Sequence, residues 1–523
     1  MISMPEVGDK TIAQQLAELT VTHPSFVFIK FGTADYTIQD INQRAEELAR
    51  ALLAAGLTKG QRVAIMLPSH PDHIVSILAL AKIGLVRVSV NIQLKGAALA
   101  HAFDTFKPEA IIHSDQFIDK LSPLASFTSL KKFVWSNQGA PTLRYEGRDI
   151  SAIVKQNAHS YPLPSPLPDD ILAITPSSGT TGPPKGVLKS DRTLRAGALG
   201  ILRLNKAKAG DSFVLWESLH HGAGVAVVLA ALHARITLVI VEKFSASRLW
   251  RQLKANNAKH LHYLGSVLAM LYKQAPSGED KAHGVQIAWG GGCPPSIWRG
   301  FEERFGVKIH EGYGLSELTT LVTANLAGRE GSIGEPLDYF EVQLTNEDGT
   351  EVSIGEIGEI TVQPKDPRLG FLGYFENLTA TQQSLRNGWF LTGDLAWADS
   401  DGYLYYAGRK KDSVRRRGIN ISAWEVEHVV AEHPAIEECA MVGVPSELGE
   451  NELKIFLRLK PSSQLTPGEF IAWCEKVLPP FQVPRYVEYV EDFPRTPTQR
   501  IKKGELSLSV AGCWDFLDKQ SQQ

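Results

Sequence analysis

The 523-residue chain has only four cysteines, Cys293, Cys439, Cys474 and Cys513, spread far apart with no Cys-x-x-Cys pair. That spacing argues against a disulfide framework or a cysteine zinc site and fits reduced thiols in a cytoplasmic setting. An excess of charge is also missing. The 54 basic and 57 acidic side chains leave a net charge of −3, which speaks against a nucleic-acid or membrane-surface protein. Long uninterrupted apolar runs are absent: Val225 to Val241 is broken by His233 and Arg235 and reads as buried core, so no membrane span is expected. The first ten residues lack the charged-then-apolar order of a signal peptide. Neither an internal repeat nor a low-complexity tract occurs.

What is present is ordinary globular composition, 43% hydrophobic and 21% charged, over a length that implies two or more domains. Helical and strand patterns alternate in the first third. Gln39 to Ala55 predicts a helix that stops at Gly56, Val63 to Leu67 a strand, His73 to Lys82 a helix, and Leu85 to Val90 a strand. A helix over Gly96 to Thr105 and a strand over Ala110 to His113 follow. Such alternation implies a mostly parallel sheet covered by helices. A second α/β block is expected from strands at Ser212 to Trp216, Ile236 to Val241, Val285 to Trp289 and Val307 to His310. From Ile333 to Pro364 short strands with turn signals predict an antiparallel barrel or meander. The charged stretch Arg409 to Arg417 marks a domain boundary. The expected fold is therefore α/β: a large N-terminal domain (1–410) of two α/β sheets plus a small β-barrel, then an α+β C-terminal domain (411–523).

One stretch concentrates chemistry. Ile174 to Gly186 packs Ser177, Ser178, Gly179, Thr180, Thr181, Gly182 and Lys185 behind the apolar run Asp170 to Thr175. Glycines let backbone N–H groups approach a ligand, hydroxyls add donors and lysine adds a mobile point charge, the inventory a polyphosphate needs. A Walker A loop is excluded, because Gly186 rather than Ser or Thr follows Lys185. A flexible polar surface loop is the plainer alternative. Four more stretches stand out: His310 to Glu317 (His-Glu-Gly-Tyr-Gly-Leu-Ser-Glu), Trp389 to Leu395 with Thr-Gly-Asp at its centre, Gly408 to Asp412, and Pro494 to Lys503 with four cations. Singly, each reads as a solvated loop or face.

Together and in this order, Ser-Ser-Gly-Thr-Thr-Gly-x-Pro-Lys-Gly, Tyr-Gly-Leu-Ser-Glu, Thr-Gly-Asp and Gly-Arg-Lys-Lys-Asp resemble the adenylate-forming superfamily, which includes the acyl-CoA synthetases. The likeness runs from about Ile38 to Leu506. Arg415 to Ser422 (Arg-Arg-Arg-Gly-x-Asn-Ile-Ser) and Trp389 to Asp394 look nearest its crotonobetaine/carnitine-CoA ligase-like branch. The resemblance implies an AMP-forming acid–thiol ligase that uses ATP, Mg²⁺ and coenzyme A on a carboxylic acid. It implies that Ser177 to Lys185 hold the β- and γ-phosphates, Ser316 contacts the α-phosphate, and Glu317 helps bind Mg²⁺. Tyr313 would stack on adenine with Gly292, Cys293 and Pro294 opposite, and Asp394 and Arg409 would bind the ribose. His221 falls where the family gates the acyl pocket; a packing histidine is the alternative. No Asp lies between Trp216 and Val241 to pair with an amino-acid ammonium. A hinge aligns with Lys411, and Gly418 would give the pantetheine arm close passage. Arg415, Arg416 and Arg417 read equally as coenzyme A phosphate contacts or as a solvated face. Gly224, Gly265, Gly290, Gly291, Gly292 and Gly314 leave little bulk near the acyl pocket, which admits a bulky acid, unless they serve backbone turns instead.

One departure matters. The family's C-terminal Gly-Lys is Gln499-Arg500 here. Arginine keeps the charge but is a wider, stiffer fork than the ammonium that bridges substrate carboxylate and α-phosphate. Two further readings stay open: an adenylation-impaired chain that passes a preformed acyl-adenylate, made by a separate adenylating enzyme, to coenzyme A, or a non-catalytic nucleotide-binding protein. A homodimer is the default for oligomeric state.

Overall fold

The computed structural model describes the chain except residues 138–141, 158–162, 178–184, 265–266, 411–413, 417–418, 422, 447–448, 495–500, 502 and 518–523, and except the side chains at 155–157, 177, 296, 408–409, 420, 424–425 and 428.

The first α/β block forms as its periodicity predicts. The helix Ile38–Ala54 begins at Thr37, whose side chain accepts the amide of Asp40 while Asp40 caps the amide of Thr37 in return, a capping box. It buries one apolar stripe through Ile41, Ala45, Leu48 and Leu52. The helix Pro71–Ile83 is buried on every side, so its apolar composition carries no stripe. These helices pack beside an eight-stranded sheet whose centre is parallel: Ile171–Ser177, Val86–Ser89, Arg62–Met66, Ala110–Ser114 and Lys131–Ser136. Its edges are antiparallel, and one of them matters for the site. Lys185–Ser190 returns beside Ile171–Ser177 with Lys185 opposite Ser177. The strand expected before the loop therefore has an unpredicted partner after it, and 178–184 joins the two.

The second block forms two ladders. Ser212–Leu215 and Thr237–Ile240 run parallel to each other and to Val27–Phe31, which brings the N-terminal hairpin into this sheet. His260–Leu264, Ile287–Gly291 and Lys308–Tyr313 run parallel in the other and continue into short antiparallel strands. The helix Gly222–Ala234, which connects Ser212–Leu215 to Thr237–Ile240, is apolar all round and buried from Gly224 to Leu232, as the reading of Val225 to Val241 as core requires. Among the described residues no helix is long and apolar enough to cross a membrane.

Phe340–Thr345, Gly358–Pro364, Trp389–Ala398, Leu385–Arg386 and Leu404–Arg409 make a five-stranded antiparallel unit where the barrel was expected. Among the described residues no ladder joins its first strand to its last. The remaining chain is α+β: a short hairpin, Val414–Arg416 with Ile419–Ile421, and a four-stranded sheet led by Ile436–Pro445 and Asn451–Leu459. This part has its own core around Val426, Ile455, Leu457 and Phe470. The chain is thus mixed α/β, with a large N-terminal assembly of several sheets and a smaller C-terminal unit.

Candidate active site

One cleft of about 1300 Å³ collects Lys185, His221, Gly292, Cys293, Pro294, Tyr313, Ser316, Glu317 and Asp394. These residues lie as much as 209 positions apart in sequence, and strand ends bring most of them together, the usual place for a site in α/β sheets. Ser178, Gly179, Thr180, Thr181, Gly182, Lys411, Gly418 and Arg500 lie outside the described residues, as does the side chain of Ser177.

Lys185 opens the strand that returns from the loop, and its Nζ sits 4.8 Å from the centre of the Tyr374 ring. The Tyr374 phenol donates to Glu317 Oε1 at 3.0 Å. The strand Lys185–Ser190 reaches Tyr374 through the backbone as well, with Leu188 N–H donating to Gly373 O and Phe375 N–H to Gly186 O. Ser316 and Glu317 follow the strand Lys308–Tyr313 across a close turn: a Cβ on Gly314 would lie 1.6 Å from Thr320 O. Four residues farther along the same returning strand, Lys189 is 7% exposed, lines the cleft and donates to Leu318 O. Burial pushes its pKa down to about 8 against the pull of Glu317.

Elsewhere in the cleft, Tyr313 Oη donates to Asp394 Oδ2 at 2.8 Å, and Tyr406 Oη reaches Oδ1 of the same carboxylate at 3.4 Å. Arg409 stands opposite Asp394 in the antiparallel ladder. Within the strand Trp389–Ala398, the backbone beside Asp394 is fastened by Glu359, which accepts Gly393 N–H at 2.9 Å and the Lys410 ammonium at 2.8 Å. Gly292 and Cys293 donate their amides to Glu311, which also accepts the Tyr263 phenol. Burial raises the Glu311 carboxyl to about 7 and lifts the Cys293 thiol far above its ordinary range, so Cys293 stays a neutral thiol. Glu311 and Glu359 hold backbone segments that line the cleft, a role the sequence alone did not single out for either. A lone Glu in a strand reads as a solvated face until its backbone partners are known.

His221 is the N-cap residue of the helix Gly222–Ala234, and its ring packs 4.4 Å from that of His220. Burial lowers its pKa to about 4, so it is neutral at physiological pH. The six glycines that the resemblance placed near an acyl pocket have a backbone reason where it can be read. A Cβ on Gly290 would fall 1.8 Å from Tyr263 O, and one on Gly224 2.8 Å from Ser218 O. Room for a bulky acid does not follow from them, because neighbouring backbone already fills the space a side chain would need. Gly265 is outside the described residues. Although no Asp lies between Trp216 and Val241, Glu217 does; it is buried and lines the cleft.

From the C-terminal unit, Arg415, Ile419 and Glu450 reach the cleft. The three arginines separate. Arg416 is buried, pairs with Glu452 at 2.7 Å and donates to Phe481 O and Val483 O, which ties it into its own unit. Arg415 faces the cleft near Glu450, at 3.6 Å. Arg417 is outside the described residues. No cluster of three His, Cys, Asp or Glu side chains capable of holding a metal occurs among the described residues.

The chain is similar to known proteins along most of its length. A model described as AMP-binding enzyme matches residues 15–375, and one described as AMP-binding enzyme C-terminal domain matches 425–500. The crotonobetaine/carnitine–CoA ligase of Salmonella arizonae is 28% identical over 90% of this chain and 93% of its own length. That of Citrobacter koseri is 27% identical over 96% and 100%. Among solved structures, a double mutant of o-succinylbenzoate CoA synthetase (MenE) from Bacillus subtilis superposes with a TM-score of 0.81 at 20% identity, over 95% of this chain and 98% of the other. The amide bond synthetase McbA from Marinactinospora thermotolerans does so with a TM-score of 0.81 at 24% identity and the same coverage. With the first of these models spanning well over half its length, the chain belongs to the AMP-binding enzyme family.

Proposed function

We propose that the protein is an acyl-CoA ligase working through an acyl-adenylate, with its two parts dividing near Lys411 into 1–410 and 411–523. The observation that carries this reading is the single cleft in which Lys185, Ser316 and Glu317 stand beside Tyr313 and Asp394, with Arg415 and Ile419 entering from the C-terminal unit. A substrate carboxylate oxygen attacks the α-phosphorus of ATP and pyrophosphate leaves. The thiolate of coenzyme A then attacks the acyl carbon and AMP leaves. Lys185 and the N–H groups of the loop would stabilise charge on the departing pyrophosphate. The Tyr313–Asp394 pair presents an aromatic face beside a buried carboxylate, as adenine and ribose hydroxyls require. Glu317, a single carboxylate already oriented by Tyr374, fits a Mg²⁺ ion that completes its shell with phosphate and water oxygens. That ion would neutralise phosphate charge.

A second reading, an enzyme impaired in adenylation that receives acyl-adenylate from another protein, draws support from Gln499-Arg500. The C-terminal residues that meet the cleft come from the hairpin and from 449–451, and none comes from the described part of 490–503. MenE with a CoA product analogue superposes at 0.81, whereas MenE with AMP superposes at 0.66, which supports an arrangement of the two units suited to thioester formation. The test measures pyrophosphate exchange and coenzyme A capture of synthetic acyl-AMP in parallel. Both active supports the complete ligase; capture without exchange supports the second reading. Neither, with ATP still bound, leaves a non-catalytic binder.

A further inference from the structure

The acyl side of the cleft contains a polar pair that the adenylation chemistry does not use. Glu217 follows the strand Ser212–Leu215, and His262 lies within the strand His260–Leu264. They are 3% and 8% exposed, both line the cleft, and His262 Nδ1 bonds Glu217 Oε1. Glu217 Oε2 has no partner among the described residues. Burial holds the His262 ring neutral, with a pKa near 3. A neutral imidazole supplies one donor and no counter-charge, so half of a buried carboxylate is left unsatisfied, a costly state for an interior group.

The surroundings are aromatic. Trp289 stacks on the His262 ring at 4.0 Å, Trp216 lies 5.2 Å from Phe244, and all three line the same cleft. The Trp216 indole is spoken for, donating to His262 O at 3.1 Å. The Trp289 indole N–H is buried without an acceptor among the described residues. One unmatched acceptor and one unmatched donor therefore lie buried just behind this aromatic stretch of the cleft lining. That is the pattern of a pocket that encloses a hydrocarbon body and reads one polar group on it.

We propose that Glu217, oriented by His262, accepts a hydrogen bond from an O–H or N–H group carried on the acyl chain away from its carboxylate. This rests on the reading of the cleft as an acyl-activating site and adds the substrate class: a hydroxy- or amino-substituted carboxylic acid. A hydroxyl both donates and accepts, so it alone could also serve the Trp289 indole.

The test uses the full-length protein and straight-chain acids of matched length ending in methyl, hydroxyl, primary amine or trimethylammonium. Thioester formation from the acids and from their synthetic adenylates is followed, and binding of the corresponding acyl-sulfamoyl adenosines is measured by calorimetry. The wild type is expected to favour the hydroxyl or amine member over the methyl member by about tenfold or more, since sites built to hydrogen-bond a group reject the analogue lacking it. Glu217→Leu should bring that ratio toward one, and Glu217→Gln, a milder change if the leucine variant does not fold, should reduce it. Hydroxyl preference marks a neutral donor and amine preference a charged one; either supports the proposal. Equal or better use of the methyl member at every length, preference for trimethylammonium alone, or a ratio indifferent to both substitutions overturns it. Loss of all turnover with the binding preference intact would count against the ligase reading and leave the recognition site standing.

Discussion

The Tyr374 phenol donates to Glu317 Oε1 at 3.0 Å while the Lys185 ammonium lies 4.8 Å from the centre of the same ring. One aromatic side chain thus contacts both a cation and a carboxylate that line the cleft. Tyr374→Phe keeps the ring and removes the donor. The expected result is a fall of about fivefold in kcat for adenylation, the size of one hydrogen bond, with a raised Mg²⁺ requirement in pyrophosphate exchange. Thioester formation from synthetic acyl-AMP should change less.

The Tyr313–Asp394 pair leads to a different split. Asp394→Asn retains the shape but weakens acceptance of phenol and ribose hydroxyls. KM for ATP should rise by about tenfold, in line with the greater strength of hydrogen bonds to charged groups, and the KM for the acid should move far less. Steady-state kinetics with each substrate varied in turn checks this.

Lys189 gives a pH signature. Its folded pKa is lowered from 10.5 to about 8 by burial, so between these values the unfolded chain holds a proton that the folded chain has released. Stability should therefore rise with pH across about 8 to 10.5, with a slope of at most ~1.4 kcal/mol per pH unit. Below pH 8 the penalty is present in full and does not vary. Lys189→Met should remove that rise, read from urea unfolding at several pH values.

Glu311 acts in the opposite direction. Its carboxyl is raised from 4.5 to about 7 by burial. Between those values the folded chain keeps a proton that the unfolded chain has lost, so stability should fall as pH increases through that window. Glu311→Gln should flatten the dependence. Because Glu311 accepts the amides of Gly292 and Cys293, the same variant should also weaken ATP binding in calorimetry.

Gln499 and Arg500 separate the two readings of the reaction. The double substitution Gln499→Gly with Arg500→Lys should raise pyrophosphate exchange by at least about tenfold if a compact ammonium is what adenylation lacks. It should leave the rate of coenzyme A capture near that of the wild type. No gain would mean that another cation, such as Lys503, already serves.

Local chemistry made much of this legible. The helix Ile38–Ala54 begins and ends within a residue of its predicted bounds, since capping and a 3.6-residue stripe are encoded within a single turn or two. The signature segments were equally visible, because glycines, hydroxyls and charges at fixed spacing persist in the chain whatever folds around them. Residues 178–184, 411–413 and 495–500 carry several of those predictions and lie outside the described residues.

By itself, then, the sequence determined the family, the α/β class and the chemical character of the cleft. Only the tertiary structure decided what the isolated side chains do. Glu217 and His262 are forty-five positions apart and meet because the edge strands of two separate sheets pack against each other. Glu311, Glu359 and Lys189 take their roles from backbone groups brought by other segments. Arg416 pairs inside its own unit while its neighbour Arg415 faces the cleft, because successive residues on a strand point to opposite sides. A carboxylate's character depends on what burial removes and which donors replace it, and both are properties of distant chain brought near.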